Sequence, residues 1–203
     1  MRIIAGSKRV MKLLSPKTPV ASLQGTKQRY GSRPITDRVK ESLFNILYKY
    51  DLPNGKIVAD LFCGVGSLGL EALSRGAAFV AFVDTDPKVV AVLEKNIEKA
   101  AFVKESKVIR ANAFKIGAPV GSDEHKYDLV FVDPPYACTK DVGAGSPLSE
   151  LLTLVSEQLV PNGIVVVRTR RRTFLLDRYG QLKIIDRRQW GTTAITILQV
   201  AAK

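Results

Sequence analysis

The chain has 203 residues, a formal net charge of +12 and 46% hydrophobic residues, enough for one ordinary α/β core with a small appendage. Two cysteines exclude a disulfide framework, and no apolar run approaches the roughly 18 residues that cross a membrane. The start Met1-Arg2-Ile3-Ile4-Ala5-Gly6 lacks the apolar segment of a secretion signal, so the expectation is a cytoplasmic protein with no membrane partner and no metal.

In chain order, residues 1–40 carry ten Lys and Arg against one acid, Asp37. The short apolar stretches Ile3-Ile4 and Met11 to Leu14 predict a small β-ribbon, read as a basic N-terminal extension over 1–35 that lies outside the core. Its polar segment from Gln24 to Arg33 reads as unstructured without a ligand. The main domain, 36–203, opens on a helix: Thr36 caps it, Asp37 suits its positive end, and Val39, Leu43, Ile46, Leu47 and Tyr50 recur at helical spacing. Pro53-Asn54-Gly55 ends it.

Strand and helix then alternate. Ile57 to Phe62, Phe79 to Val83, Lys107 to Arg110, Tyr127 to Val132 and Ile164 to Val167 read as buried strands. Leu68 to Arg75, Pro87 to Ala100 and Leu148 to Leu159 read as helices, the last stopped by Pro161-Asn162-Gly163. This alternation predicts a mostly parallel sheet with helices on both faces. Leu182 to Ile185 and Ala194 to Val200, separated by Gln189-Trp190-Gly191-Thr192, predict a C-terminal antiparallel hairpin at the sheet edge. Residues 161–203 hold nine Lys and Arg against two acids, whereas 41–160 hold twelve against sixteen. Basic ends around a mildly acidic middle point to a polyanion gripped by the ends.

Two turns carry chemistry. The first, Asp60-Leu61-Phe62-Cys63-Gly64-Val65-Gly66-Ser67-Leu68-Gly69, joins a strand to a helix, with Asp84 about twenty residues on, where an acid commonly holds ribose hydroxyls. Gly64-x-Gly66-x-x-Gly69 also matches the nicotinamide-dinucleotide fingerprint, a weak signal by itself. Asp60 argues against a dinucleotide, because a carboxylate repels a pyrophosphate and attracts an ammonium or sulfonium. The second turn, Asp133-Pro134-Pro135-Tyr136, follows the apolar run Leu129-Val130-Phe131-Val132. Proline brings no N–H, so this turn offers a carboxylate and carbonyls to a planar amine, and an aromatic ring to a base. Asp133 and the Pro134 carbonyl are the candidate acceptors and Tyr136 the stacking ring; together the turns suggest methylation of a nucleobase amine.

In this arrangement the chain resembles class I S-adenosylmethionine-dependent methyltransferases, which implies their Rossmann-like α/β fold and S-adenosyl-L-methionine as cofactor. The resemblance puts Asp60 and the Gly64 and Gly66 backbone near the methionine part, Asp84 at the ribose and Asn112 near adenine, with Phe62 among the cofactor-binding residues. The stretches Arg33-Pro34-Ile35-Thr36-Asp37-Arg38-Val39-Lys40-Glu41-Ser42-Leu43-Phe44-Asn45-Ile46-Leu47 and Gly69-Leu70-Glu71-Ala72-Leu73-Ser74-Arg75-Gly76-Ala77 are similar to the bacterial 16S ribosomal RNA guanine-N2 methyltransferase family. That resemblance implies 16S rRNA in an assembled or partly assembled small ribosomal subunit as partner, with Arg33, Thr36, Arg38 and Glu41 near the reacting site. Arg38 and Glu41 read equally well as a surface ion pair at helical spacing. Ile35 and Arg168 depart from the family pattern, and Arg168 with Arg170, Arg171 and Arg172 is expected to strengthen phosphate contact.

Other readings remain open at this stage. They are N6-adenine methylation of DNA or RNA, a non-catalytic RNA-binding or ribosome-assembly protein, and a nicotinamide oxidoreductase. His125 reads as a solvated loop residue, Cys63 and Cys138 as non-nucleophilic, and residues 137–147 as either a lid or a passive loop.

Overall fold

In the computed structural model, which describes residues 1–16, 35–119 and 126–201, the predicted alternation assembles into a single eight-stranded sheet. The elements are α1 (Asp37–Leu47), β1 (Ile57–Leu61), α2 (Gly69–Ser74), β2 (Phe79–Asp84), α3 (Pro87–Ala100), β3 (Ser106–Arg110), α4 (Ala113–Ile116), β4 (Tyr127–Val132), α5 (Pro147–Glu157), β5 (Leu159–Arg170), β6 (Arg178–Tyr179), β7 (Leu182–Trp190) and β8 (Thr193–Val200). The strand order is β3-β2-β1-β4-β5-β8-β7-β6. The first five strands run parallel, and β8 lies antiparallel to both β5 and β7. The chain winds outward from β1 to β3 and then returns to lay β4 on the other side of β1. Its winding reverses there, which opens a crevice at the carboxyl ends of β1 and β4.

The central strands are apolar on both faces because both are covered. Val58, Phe82, Leu129 and Phe131 join Leu43, Leu47, Leu70 and Leu93 of α1 to α3 in one core layer. Their neighbours Ala59, Val83, Val130 and Val132 join Leu148, Leu151 and Val155 of α5 in the other. Side-chain caps start three of the helices, at Thr36 as expected and at two further positions. Thr36 Oγ1 accepts from Val39 N, Asp86 from Lys88 N ahead of Pro87, and Ser146 from Ser149 N ahead of Pro147.

The N-terminal ribbon is present as an antiparallel bridge between Arg2 and Lys12, with Ile3 N donating to Met11 O and Val10 N to Ile3 O. The expectation that it stays outside the core needs correction: Ile3 and Leu13 are buried within the α1–α3 layer. The reason lies in the helices beneath it. The Glu71 carboxylate on α2 accepts from Ile4 N (2.7 Å) and Ala5 N (3.1 Å), and Asn96 Oδ1 on α3 accepts from Leu14 N (2.7 Å).

Three further boundaries differ. α5 stops at Glu157, and Pro161-Asn162-Gly163 lies inside a longer β5, where the pairing with β4 shifts register. β7 runs on to Trp190, because Gln189 and Trp190 pair with Ala194 and Thr193; the hairpin turn is only Gly191-Thr192. The short α4 carries no usable hydrophobic period and was not expected. Arg33, His125 and the segment Gln24 to Arg33 lie outside the described residues.

Candidate active site

Strand register gathers the site. Asp60 on β1 lies opposite Phe131 on β4, and Phe131 lies opposite Val166 on β5. Two residues onward, on the same face, come Asp133 and Arg168. Two carboxylates and a guanidinium therefore converge at the crevice where the winding reverses. Asp133 N extends the ladder by one bond to Leu61 O, and Arg168 Nε donates to Asp133 Oδ1 at 2.6 Å.

The glycine turn is held from below. Gly69 N donates to Asp60 Oδ2 (2.8 Å), Gly64 N to Asp84 Oδ2 (2.9 Å), and Asp86 N to Asp84 Oδ1 (3.1 Å). The glycines differ in what they do. A Cβ on Gly66 would lie 2.5 Å from Leu93 Cδ1, and one on Gly69 would lie 2.3 Å from Phe82 Cε1. Those two let the helices close on the sheet. A Cβ on Gly64 would meet nothing within 4 Å, so Gly64 leaves its backbone open to a ligand.

A cavity of about 780 Å³ fills this crevice, within the roughly 300–1,000 Å³ range of small-molecule sites. It brings together Asp60, Phe62, Gly64, Asp84, Asn112 and Asp133. Asn112 Oδ1 already accepts from Phe114 N (3.0 Å), so its amide N–H₂ is the end left for a ligand. Phe114 was missed in the sequence because α4 is too short to read. Its ring packs on Phe62 with centroids 4.9 Å apart, and both line the cavity.

Charge within the crevice is strained by burial. Asp60 is 1% exposed, and burial, then the charges of Asp133 and Asp84, push its carboxyl up to about 8 against the pull of the Gly69 N–H. A carboxylate held at such a cost fits a cationic ligand, whose charge would restore ionisation. Burial also raises Asp133, and Arg168 opposes that rise. Burial raises both Cys63 and Cys138, which suits inert thiols.

The remaining candidates are distributed differently. Pro135 and Cys138 line the cavity, whereas neither Pro134, which is buried, nor Tyr136 is part of its lining. The Tyr136 hydroxyl and Thr193 Oγ1 are hydrogen-bonded at 3.1 Å, and the Arg170 guanidinium sits 5.1 Å from the centre of its ring. Among the described residues, no hydrogen bond ends on the Pro134 carbonyl. Thr36 and Arg38 line a separate recess of about 400 Å³ with Trp190, Thr192 and Thr193. Arg168 and Ile35 border both spaces. The Arg38–Glu41 pair is absent from the ion pairs of the described residues.

One charge expectation is overturned. Arg168 is 3% exposed and engaged with Asp133, so it is no part of a surface phosphate grip. Arg170, Arg171 and Arg172 are the exposed members of that run.

Sequence reading also missed Lys40 and Glu71, a buried pair 3.3 Å apart that ties α1 to α2. A signal existed. Lys40 stands three, four and seven residues before Leu43, Phe44 and Leu47, on the stripe that α1 buries.

The model of the family described as "Conserved hypothetical protein 95" matches residues 1–199. A Bacillus subtilis protein named "Putative rRNA methyltransferase YlbH" is 34% identical over 199 residues, covering 97% of each chain. A Haemophilus influenzae protein named "Ribosomal RNA small subunit methyltransferase D" is 36% identical over 172 residues, covering 84% of this chain and 79% of that one. Among solved structures, "Putative methyltransferase yhhF" from Escherichia coli superposes with a TM-score of 0.78 at 30% identity, covering 100% of this chain and 99% of that one.

Proposed function

This chain belongs to the Conserved hypothetical protein 95 family, and from that premise we propose that it transfers a methyl group from S-adenosyl-L-methionine to the exocyclic N2 amine of a guanine in 16S rRNA of the small ribosomal subunit. The chain is an rRNA methyltransferase with a Rossmann-like class I fold. The observation that carries the finer reading is the convergence of Asp60 and Asp133 on one cavity from adjacent parallel strands.

The residues present fit the methyl donor. Asp60 suits its cationic end, the open Gly64 backbone its close approach, Asp84 its ribose hydroxyls, and Asn112 with Phe62 and Phe114 its adenine. Bound there, the donor supplies a methyl group on positively charged sulfur, an electrophile that needs no metal. Asp133 and the Pro134 carbonyl accept the two N–H bonds of the target amine. Those two hydrogen bonds orient the amine and help localise the nitrogen lone pair, which the purine ring otherwise spreads. Arg168 opposes the rise that burial imposes on the Asp133 carboxyl, and in its ionised form Asp133 tolerates positive charge developing on nitrogen. Asp133 or a water then takes the proton that the nitrogen sheds.

In this reading Pro135 walls the amine's entry, Tyr136 with Arg170 forms the lip beside it, and Arg33 and Arg38 contact RNA. The basic extension over 1–35 and the exposed arginines of β5 hold phosphates, while 36–203 performs the transfer. A flipped or looped-out guanine meets the geometry; one stacked in a duplex does not. The enzyme works in the cytoplasm on an assembled or partly assembled subunit. No helix among the described residues is long and apolar enough to cross a membrane.

The test is incubation of labelled donor with small subunits, free 16S rRNA and DNA, followed by nucleoside digestion. The expected product is N2-methylguanosine from the subunit RNA. N6-methyladenosine as the labelled nucleoside, or tight RNA binding without transfer, overturns the reading.

A further inference from the structure

The second recess, of about 400 Å³, lies between the start of α1 and the β7–β8 turn and has no part in holding the donor. Its wall combines an aromatic ring, Trp190, with a cation, Arg38. Trp190 is half-buried, so the edge of its indole that packs on the core fixes the ring while the rest remains reachable. Arg38 is exposed and forms no ion pair among the described residues. The recess also shares Ile35 and Arg168 with the large cavity. Whatever fills it therefore sits one side chain away from Asp133, which Arg168 holds at 2.6 Å.

We infer that this recess seats the nucleotide adjoining the methylated guanine, its base against the Trp190 indole and its phosphate on Arg38; the inference rests on the function proposed above. A ring beside a guanidinium is the pair of groups that a single-stranded nucleotide needs, since every base has a π-face and every phosphate a negative charge. The exposed Arg170 and Arg171 adjoin the recess, Arg170 pairing with Thr193 and Arg171 N donating to Thr192 O, and with Arg172 they extend its positive charge. Seating the neighbour here anchors the strand on one side of the target, so that the guanine itself can leave its stack and enter the crevice.

The chain contains one tryptophan, so its fluorescence reports on this recess alone. An RNA fragment that the enzyme methylates is titrated into the wild-type protein, with tryptophan emission, filter-bound RNA and methyl transfer measured on the same samples. Emission should be quenched with the same midpoint as RNA binding. A fragment lacking only the neighbouring base should quench far less. Trp190→Ala should lower kcat/KM about tenfold or more, while Trp190→Phe, which keeps a stacking face, should stay within about threefold. Removing the neighbouring base from the RNA and removing the indole should not add, because each deletes the same contact. If Trp190→Ala fails to fold, the wild-type titration still decides. Transfer and RNA binding with unchanged emission, or fully additive losses, would overturn the subsite and leave the proposed function standing. If no RNA is either methylated or bound, the function and the subsite fall together.

Discussion

Two buried ion pairs lie on the same side of the sheet, and they do opposite things. In Lys40–Glu71 the side chains are 1% and 0% exposed, and every strong acceptor is occupied. Glu71 takes Ile4 N, Ala5 N, Arg75 Nε and Lys40 Nζ; Lys40 also donates to Arg2 O and to Ser67 of the glycine turn. In Arg168–Asp133 the side chains are 4% and 15% exposed, and both residues border the large cavity. The first pair is closed and joins the N-terminal ribbon to the glycine turn. The second is open on one side, so its carboxylate keeps acceptor capacity directed at empty space. Burial alone does not separate the two pairs; unspent hydrogen-bonding capacity facing a cavity does.

The sharpest way to break this comparison is at Asp133. Asp133→Asn should lower methyl transfer by about 10²- to 10⁴-fold while calorimetry still finds the donor bound. Undiminished turnover would remove Asp133 from the chemistry. Lys40→Met should instead act on folding, because it leaves Glu71 buried with one charge partner fewer. The expected loss is about 3–5 kcal/mol in urea unfolding, with turnover per folded molecule largely kept. A stability change below about 1 kcal/mol would show that the closed pair is no staple.

Arg168→Met sharpens the comparison through pH. Arg168 holds the Asp133 carboxyl below where burial alone would put it, so its removal moves the acid limb of the rate profile upward. At a pH below the acid limb, transfer should fall about tenfold for each unit of that movement and recover as pH rises. An acid limb that stays in place would show that Arg168 does not tune Asp133. The smallest effect is expected at Asp60. Its carboxyl is neutral below about 8 and charged above, so donor affinity in the wild type should rise several-fold as pH climbs toward that value. In Asp60→Asn the affinity should be flat with pH, and an equal slope in both proteins would assign the effect elsewhere.

Much of the fold was legible because its signals are local. Thr36 and Pro87 each announce a helix start within a few residues, and the helices begin there. Apolar runs such as Leu129 to Val132 could only be strands covered on both faces, and they are. The spacing of Asp60, the glycines and Asp84 likewise foretold the turn, since it is built from consecutive backbone. The less legible parts depend on partners far along the chain. The Pro161-Asn162-Gly163 stretch reads locally as a stop, yet pairing across the sheet carries β5 through it.

The order of residues by itself determined where strands and helices alternate, where the glycine turn and the Asp-Pro-Pro-Tyr turn fall, and that the basic charge gathers at the two ends; each follows from chemistry within a few bonds. Only the tertiary structure decided that Arg168 pairs with Asp133 instead of facing solvent, that Lys40 and Glu71 bury each other, and that Thr36 and Arg38 open on Trp190. Those outcomes depend on strand register and on which helix covers which face. They are set by the packing of segments dozens of residues apart; a local pattern, such as the place of Lys40 on the apolar stripe of α1, marks a side chain for burial but does not name its partner.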